Sequence, residues 1–339
     1  MLKFAIIGAG AGGQSMAAIL TSKGYIAKLY DIDKEKIHRL QELKTIKVTG
    51  VIACEAAPAV ITDRIDEVMD DVDVIMVVST TDAHRSIAYA CKPYLKDGQI
   101  VMLNPGHCGG ALEIANILRG EDGCGKDLII AEAGDLMYGC RSYEVGNILH
   151  TGLKVHVPVA TLPASDIDRL MKVLGPIFPC LQPAANVLET SLNNSNPISH
   201  GPLALFNITR MENGEDFLLF GTGVTPRVAR FMEKIDRERV AVVRACGVSA
   251  PTELEMLNSF WPEPQESLYN VLHNTPAYSV TKGPRTLDHR YLTEDLPYGL
   301  VPYVRLGRKL GVETPCLEAL IGMFGLYMDQ DYFQQGPEV

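Results

Sequence analysis

The chain has 339 residues, 47% of them hydrophobic and 21% charged, with a formal net charge of −10. That length and balance suit a soluble protein of two domains, each burying its own core, and the acidic excess argues against nucleic-acid or anionic-membrane partners. No apolar run reaches the roughly 18 residues that cross a bilayer, and the eight scattered cysteines lack a C-x-x-C pair, which fits reduced cytoplasmic thiols better than a disulfide frame or a zinc ribbon.

Lys3 to Ile7 is an apolar run of strand formers, followed without a gap by Gly8-Ala9-Gly10-Ala11-Gly12-Gly13. Gln14 to Lys23 then reads as a helix, Ile26 to Tyr30 as the next strand, and Asp31 closes the unit. The apolar start is a first strand rather than a leader, because the glycine turn and helix use the same residues. In a dinucleotide site Gly8 permits the tight turn, Gly10 admits a pyrophosphate and Gly13 lets helix and strand pack closely, with Ala11 and Gly12 completing the loop. The pyrophosphate would sit at the helix N-terminus, where unpaired N–H groups and the helix dipole favour an anion. Asp31 is placed to accept from the ribose hydroxyls. That favours NAD over NADP, whose 2′-phosphate it would repel; Lys34 and Lys36 weaken the preference slightly.

Val74 to Val78, Ile100 to Leu103 and Leu128 to Ala131 are further apolar runs, as parallel strands buried on both faces require. Gly110 to Arg119 has helical spacing, and Leu153 to Val159 alternates like an added strand. The expected class is an α/β, doubly wound Rossmann sheet over residues 1–185. Its ligand crevice lies at the carboxyl ends of the strands. Those ends carry Ser79-Thr80-Thr81, Asn104 to His107 and Glu132 to Asp135, with Ser79 and Thr80 placed for coenzyme contacts. Beyond residue 185 the strand pattern stops. Thr225-Pro226 and Thr314-Pro315 are helix starts followed by apolar stripes, so residues 186–339 should form a mainly helical domain. The tail beyond Tyr332 is expected to fray.

Two polar clusters are candidates for chemistry. In Ser191-Leu-Asn193-Asn194-Ser195-Asn196-Pro-Ile-Ser199-His200, helical spacing puts Asn193, Asn196 and His200 on one face. Two amides and an imidazole suit a wet cleft better than a core, and a histidine whose tautomer is fixed can work as acid or base near neutrality. A capping or surface histidine remains open on pattern alone. The second cluster runs from His289 to Pro302. There Arg290 offers a planar fork for a carboxylate, and Glu294 and Asp295 could orient a histidine; a solvated loop with an Arg–acid pair is the competing reading. His84 stands beside the Ser79-Thr80-Thr81 strand end or at an exposed helix start. His150 and His156 flank a strand and are expected to face solvent or a neighbour.

Taken together, the glycine turn, the asparagine-rich segment ending in His200, and Arg290-Tyr-Leu-Thr-Glu-Asp295-x-Pro-x-Gly-Leu-Val resemble the octopine/nopaline (opine) dehydrogenase family. Asn104-Pro-Gly and Leu136 to Arg141 also resemble that family's first domain, so the likeness spans nearly the whole chain. It implies NAD(P)H-dependent reductive condensation of an amino acid with an α-keto acid such as pyruvate. It implies His200 as acid/base, Asp295 as its orienting partner and Arg290 as the keto-acid carboxylate clamp. It further implies an amino-acid site contacted by His107, Asp135, Cys140 and Asn196, with Asp135 either meeting a basic group or capping a turn. A homodimer through the helical domain is compatible with it. A ketopantoate or hydroxyacid reductase shares the two-domain plan but uses a lysine early in its second domain, and no lysine occurs between Lys172 and Lys234. A non-catalytic NAD(H) sensor would leave His200, Arg290 and Asp295 without a purpose. No metal is expected, since no HxxxH, HxxE or paired-cysteine spacing occurs.

Overall fold

The alternation of apolar runs and helical stripes becomes two units in the computed structural model, which describes residues 1–338. The first spans Met1–Thr190 and the second begins at Ser191. In the first, β1 (Lys3–Ile7), β2 (Ile26–Tyr30), β5 (Val60–Thr62), β6 (Val74–Val77), β7 (Ile100–Leu103), β8 (Ile129–Ala133), β11 (Val157–Leu162) and β12 (Leu181–Pro183) form one sheet. Its order is β12-β11-β8-β7-β6-β1-β2-β5. The strands from β5 to β8 pair in parallel, and β11 joins β8 antiparallel. The continuous apolar runs are explained by burial on both faces. Phe4, Ile6, Val74, Met76 and Met102 enter one core layer, while their neighbours Ala5, Ile7, Ile75, Val77 and Val101 enter the other. Each such side chain contributes about 1.5–3 kcal/mol of transfer energy, so one sheet commits both layers.

Helices α1 (Ala11–Ser22), α2 (Lys34–Leu43), α3 (His84–Cys91), α4 (Gly110–Arg119) and α5 (Ile167–Leu174) connect or flank these strands. A second sheet was not expected. β3 (Ile46–Gly50), β4 (Cys54–Ala56), β9 (Tyr138–Glu144) and β10 (Asn147–Leu153) assemble in the order β4-β3-β10-β9. Its inner side chains Ile46, Val48, Cys140 and Ile148 share a core with Met16, Ala17 and Leu20 of α1. The strand expected over Leu153 to Val159 is therefore two strands in different sheets. Leu153 ends β10 and Val157 begins β11, and the chain changes sheet where Lys154 N–H donates to the Met137 carbonyl at 3.1 Å.

The second unit is helical, as expected. Its helices include α6 (Asn196–Phe206), α7 (Pro226–Ala245), α8 (Glu253–Phe260), α9 (Arg290–Thr293), α10 (Val301–Leu310) and α11 (Pro315–Met328), with a π-helical turn at Asp295–Leu300 between α9 and α10. The Thr225 hydroxyl accepts from Val228 N–H at 3.3 Å, and Thr252 and Glu255 form a reciprocal capping box at the start of α8. α6 lies at the centre, packed against α7, α9, α11 and the π turn. The tail does not follow the expectation of fraying: Tyr332–Gln335 is helical, and Arg305 donates to the carbonyls of Phe333 and Pro337 at 2.6 and 2.7 Å. Among the described residues no helix is long and apolar enough to cross a membrane.

Candidate active site

The first unit builds a cradle at the carboxyl end of β1. Gly8 has φ +109°, and a Cβ there would meet the Val78 carbonyl oxygen at 2.3 Å. A Cβ on Gly13 would strike the Gly8 carbonyl oxygen at 1.7 Å, whereas one on Gly10 would meet nothing within 4 Å. Two glycines thus bring strand, turn and helix together, and the third leaves open space before the N-terminus of α1. Ala11 opens that helix, and Gly12 faces Val78 and Leu136 side chains at 3.0 and 3.2 Å from its absent Cβ. This is the shape a dinucleotide pyrophosphate fits. Ser79 and Thr80 follow β6, both half-buried, with the Ser79 hydroxyl donating to the Thr80 carbonyl.

Asp31 does more than wait for a ribose. One carboxylate oxygen accepts from Ala9 N–H at 2.7 Å and lies 3.2 Å from Lys36 Nζ; the other accepts from Asp33 N–H at 2.9 Å. The acid therefore holds the glycine turn to the end of β2 and is partly neutralised by a lysine of α2. A carboxylate offers about four lone-pair directions, so a ribose hydroxyl still finds an acceptor.

At the ends of β7 and β8, Gly106 N–H donates to the Ala133 carbonyl at 3.1 Å. Glu132 is fully buried and accepts from Ala111 N–H at 3.0 Å and the Thr190 hydroxyl at 2.6 Å. His107 is buried in the left-handed region, at φ +48°. Asp135 forms a buried ion pair with Lys154 at 2.6 Å and also accepts from Leu136 N–H at 2.6 Å, so basic partner and turn cap occur together. Cys140 lies in the core of the second sheet, where burial pushes its thiol up to about 11. It is part of a wall rather than an exposed contact. His84 is fully buried instead of standing at an exposed helix start, and its ring lies 3.0 Å from where a Gly110 Cβ would be. Of the two expectations for His150, solvent or a neighbour, the second holds: it is buried, against Ser15 of α1 and Tyr138 of β9.

In the second unit the two polar clusters meet. His200 Nδ1 lies 2.8 Å from Asp295 Oδ2; the acid is fully buried and the imidazole 13% exposed. The Tyr291 ring stacks on His200, centroids 3.9 Å apart. Arg290 Nε lies 2.8 Å from Glu294 Oε2, so Glu294 takes one side of the guanidinium, which stays 39% exposed. The π turn makes this meeting possible. A Cβ on Gly299 would lie 2.4 Å from Pro197 Cγ, and one on Gly201 3.0 Å from Leu300 Cδ1, so bare glycines let turn and α6 approach. An acid at this distance holds the proton of a neutral imidazole on Nδ1 and stabilises the imidazolium.

The expected face of Asn193, Asn196 and His200 is only partly present. Asn196 and His200 share the half-buried face of α6. Asn193 precedes the helix and is locked between the Arg239 guanidinium at 2.9 Å and the Ser249 carbonyl at 2.7 Å. Asn194, just before the helix, accepts from Asn196 N–H at 2.8 Å. Sequence reasoning missed the fully buried Arg239. It also grips Asp236, which accepts from Glu253 N–H, while Glu253 accepts from Ser199 on α6. The only signal was an arginine within the apolar stripe of α7. Among the described residues no cluster of His, Cys, Asp and Glu could hold a metal ion.

A dinucleotide cradle in one unit and an acid-oriented histidine beside an arginine in the other define the class of an NAD(P)-dependent oxidoreductase. Comparison with known proteins narrows that class. Residues 183–328 match the model of the NAD/NADP octopine/nopaline dehydrogenase alpha-helical domain, and residues 3–107 that of the NAD-dependent glycerol-3-phosphate dehydrogenase N-terminus. An opine dehydrogenase of Arthrobacter sp. (strain 1C) is 34% identical, over 98% of this chain and 92% of that one. In fold, the chain resembles octopine dehydrogenase solved with NADH and L-arginine (TM-score 0.75, 17% identity, 97% of this chain and 90% of that one). It likewise resembles yersinopine dehydrogenase with NADP+ bound (TM-score 0.73, 18% identity, 99% and 90%). The protein belongs to the opine dehydrogenase family and is an NAD(P)-dependent dehydrogenase acting on a CH–NH bond.

Proposed function

We propose that the protein joins an amino acid to an α-keto acid such as pyruvate and reduces the resulting imine to an N-(carboxyalkyl) amino acid, with NADH preferred over NADPH. The observation that carries the assignment of roles is the 2.8 Å contact of His200 with the fully buried Asp295. The amine adds to the keto carbon and water leaves; NAD(P)H, when bound, would supply the hydride for reduction of the imine. His200, oriented by Asp295, donates a proton to the keto oxygen as the amine adds, and moves the protons that accompany loss of water. Arg290, steadied by Glu294, binds the keto-acid carboxylate. His107, Asp135 and Asn196 contact the amino acid, Asp135 as one half of its ion pair with Lys154, and Cys140 backs the wall from the core. Gly8, Gly10, Ala11, Gly12, Gly13, Ser79 and Thr80 hold the coenzyme, and Asp31 accepts from its ribose. A homodimer formed through the helical unit and a cytoplasmic location, in keeping with eight free cysteines, belong to the same reading; light scattering checks the first.

The test is oxidation of NADH and of NADPH across a matrix of amino acids and α-keto acids, with keto acid alone as control and the product weighed by mass spectrometry. Oxidation that needs both partners and yields the secondary amine is the expected result. Oxidation by keto acid alone would make the enzyme a hydroxyacid reductase instead.

A further inference from the structure

The first turns of α1 are tied to the β9–β10 hairpin by buried polar side chains that the proposed chemistry does not use. The Gln14 amide donates to the Ala9 carbonyl at 2.8 Å and accepts from Gly146 N–H at 2.9 Å. It thereby joins the glycine turn to the tip of the hairpin. The next residue, Ser15, places its Oγ 2.6 Å from Nε2 of His150, a β10 residue only 1% exposed. Tyr138, on β9, donates its hydroxyl to the Gly12 carbonyl at 3.3 Å, and its ring centroid is 4.7 Å from that of His150.

Donor counting sets the direction of this chain. A neutral His150 carries one proton, and on Nε2 it is donated to Ser15 Oγ. That leaves Nδ1, a buried atom without a partner, as a bare lone pair. The opposite tautomer would leave a buried N–H unpaired, which is the rarer and costlier fault. His150 therefore meets the start of α1 in two ways, by donating to Ser15 and by its ring contact with Tyr138, whose hydroxyl holds the Gly12 carbonyl.

We propose that His150 is a positioning residue for the coenzyme: through Ser15 and Tyr138 it fixes the first turn of α1 so that its N–H groups stay aimed at the pyrophosphate. The second sheet is then the mount of the coenzyme cradle, and this explains why an imidazole, rather than an aliphatic side chain, stands in its core. Replacing it by an apolar ring keeps the volume but removes the donor that orients Ser15.

The test uses the full-length protein with His150→Phe and His150→Gln, reading the NADH dissociation constant by fluorescence titration without substrate, then steady-state constants. His150→Phe should weaken NADH binding about tenfold, the worth of one well-placed buried hydrogen bond. It should leave kcat at saturating NADH and the keto-acid KM unchanged. His150→Gln, whose amide can donate to Ser15, should restore most of the affinity. Native NADH affinity in His150→Phe, or an equal loss in kcat and keto-acid KM, would overturn the proposal. Should His150→Phe fail to fold, Ser15→Ala is read in the same titration: a weakened dissociation constant supports the relay, and an unchanged one refutes it.

Discussion

The arrangement around His200 makes unequal demands on its three charged side chains. Asp295 has no solvent to fall back on, so its 2.8 Å contact with the imidazole both satisfies the acid and sets the tautomer. Removing the imidazole should cost the general acid–base contribution, on the order of 10²–10⁴-fold in kcat. His200→Ala should leave NADH affinity intact, because the glycine cradle belongs to the other unit. A parallel loss of NADH binding, measured by titration, would show that His200 serves the fold or the coenzyme instead. Arg290 is more exposed and already shared with Glu294, so its replacement should be milder. Arg290→Ala is expected to raise the keto-acid KM about ten- to a hundredfold, the range for a hydrogen bond to a charged group, and an unmoved KM would remove it from the carboxylate site. Lys36 sits 3.2 Å from Asp31, where a 2′-phosphate would also lie. Lys36→Ala should therefore lower NADPH use relative to NADH, and a constant ratio of the two kcat/KM values would mean another group reads that position.

What could be read from the chain depended on how local the signal was. The glycine turn, β1, α1 and Asp31 are contiguous, and periodicity alone placed them. The second sheet is assembled from two hairpin-like pieces nearly a hundred residues apart, β3–β4 and β9–β10, and each piece is too short to show where its inner face points. His150 shows the limit: its strand leaves solvent and a packed neighbour equally open until α1 covers it. The Asn193 error has a different origin. Its helical spacing from His200 is sound arithmetic, but α6 begins only at Asn196, and the buried Arg239, 46 positions further on in α7, claims the amide. The π turn was invisible for a further reason, since no residue pattern marks it; its consequence is that Gly299 lies against Pro197. Gly299→Ala forces a Cβ into that contact, an overpacking that costs about 1–3 kcal/mol. It should also draw Asp295 away from His200. The expected outcome is a lower melting temperature together with a loss of kcat out of proportion to it, and full activity in a folded Gly299→Ala protein would mean that turn and α6 can separate without harm.

Burying a histidine to brace a coenzyme turn also has a consequence for the stability of the whole protein against acid. Burial holds the His150 imidazole down at about 4, whereas an unfolded chain returns it to about 6.5. As pH falls below about 6.5, the unfolded state takes up a proton that the native state refuses until about pH 4, so the native state loses stability across that window. The shift corresponds to at most about 3 kcal/mol at neutral pH, a sizeable share of the 5–15 kcal/mol that ordinarily separates folded from unfolded. Stability above about pH 6.5 should be flat with respect to this group. His150→Phe cannot take up that proton, so its unfolding free energy should fall less steeply between about pH 6.5 and 4 than that of the native protein, whatever its value at neutrality. Denaturant unfolding at closely spaced pH values measures both slopes. Parallel curves across the window would show that the imidazole is protonated in the folded protein after all. Nε2 would still donate to Ser15, but Nδ1 would then carry a second proton that needs an acceptor.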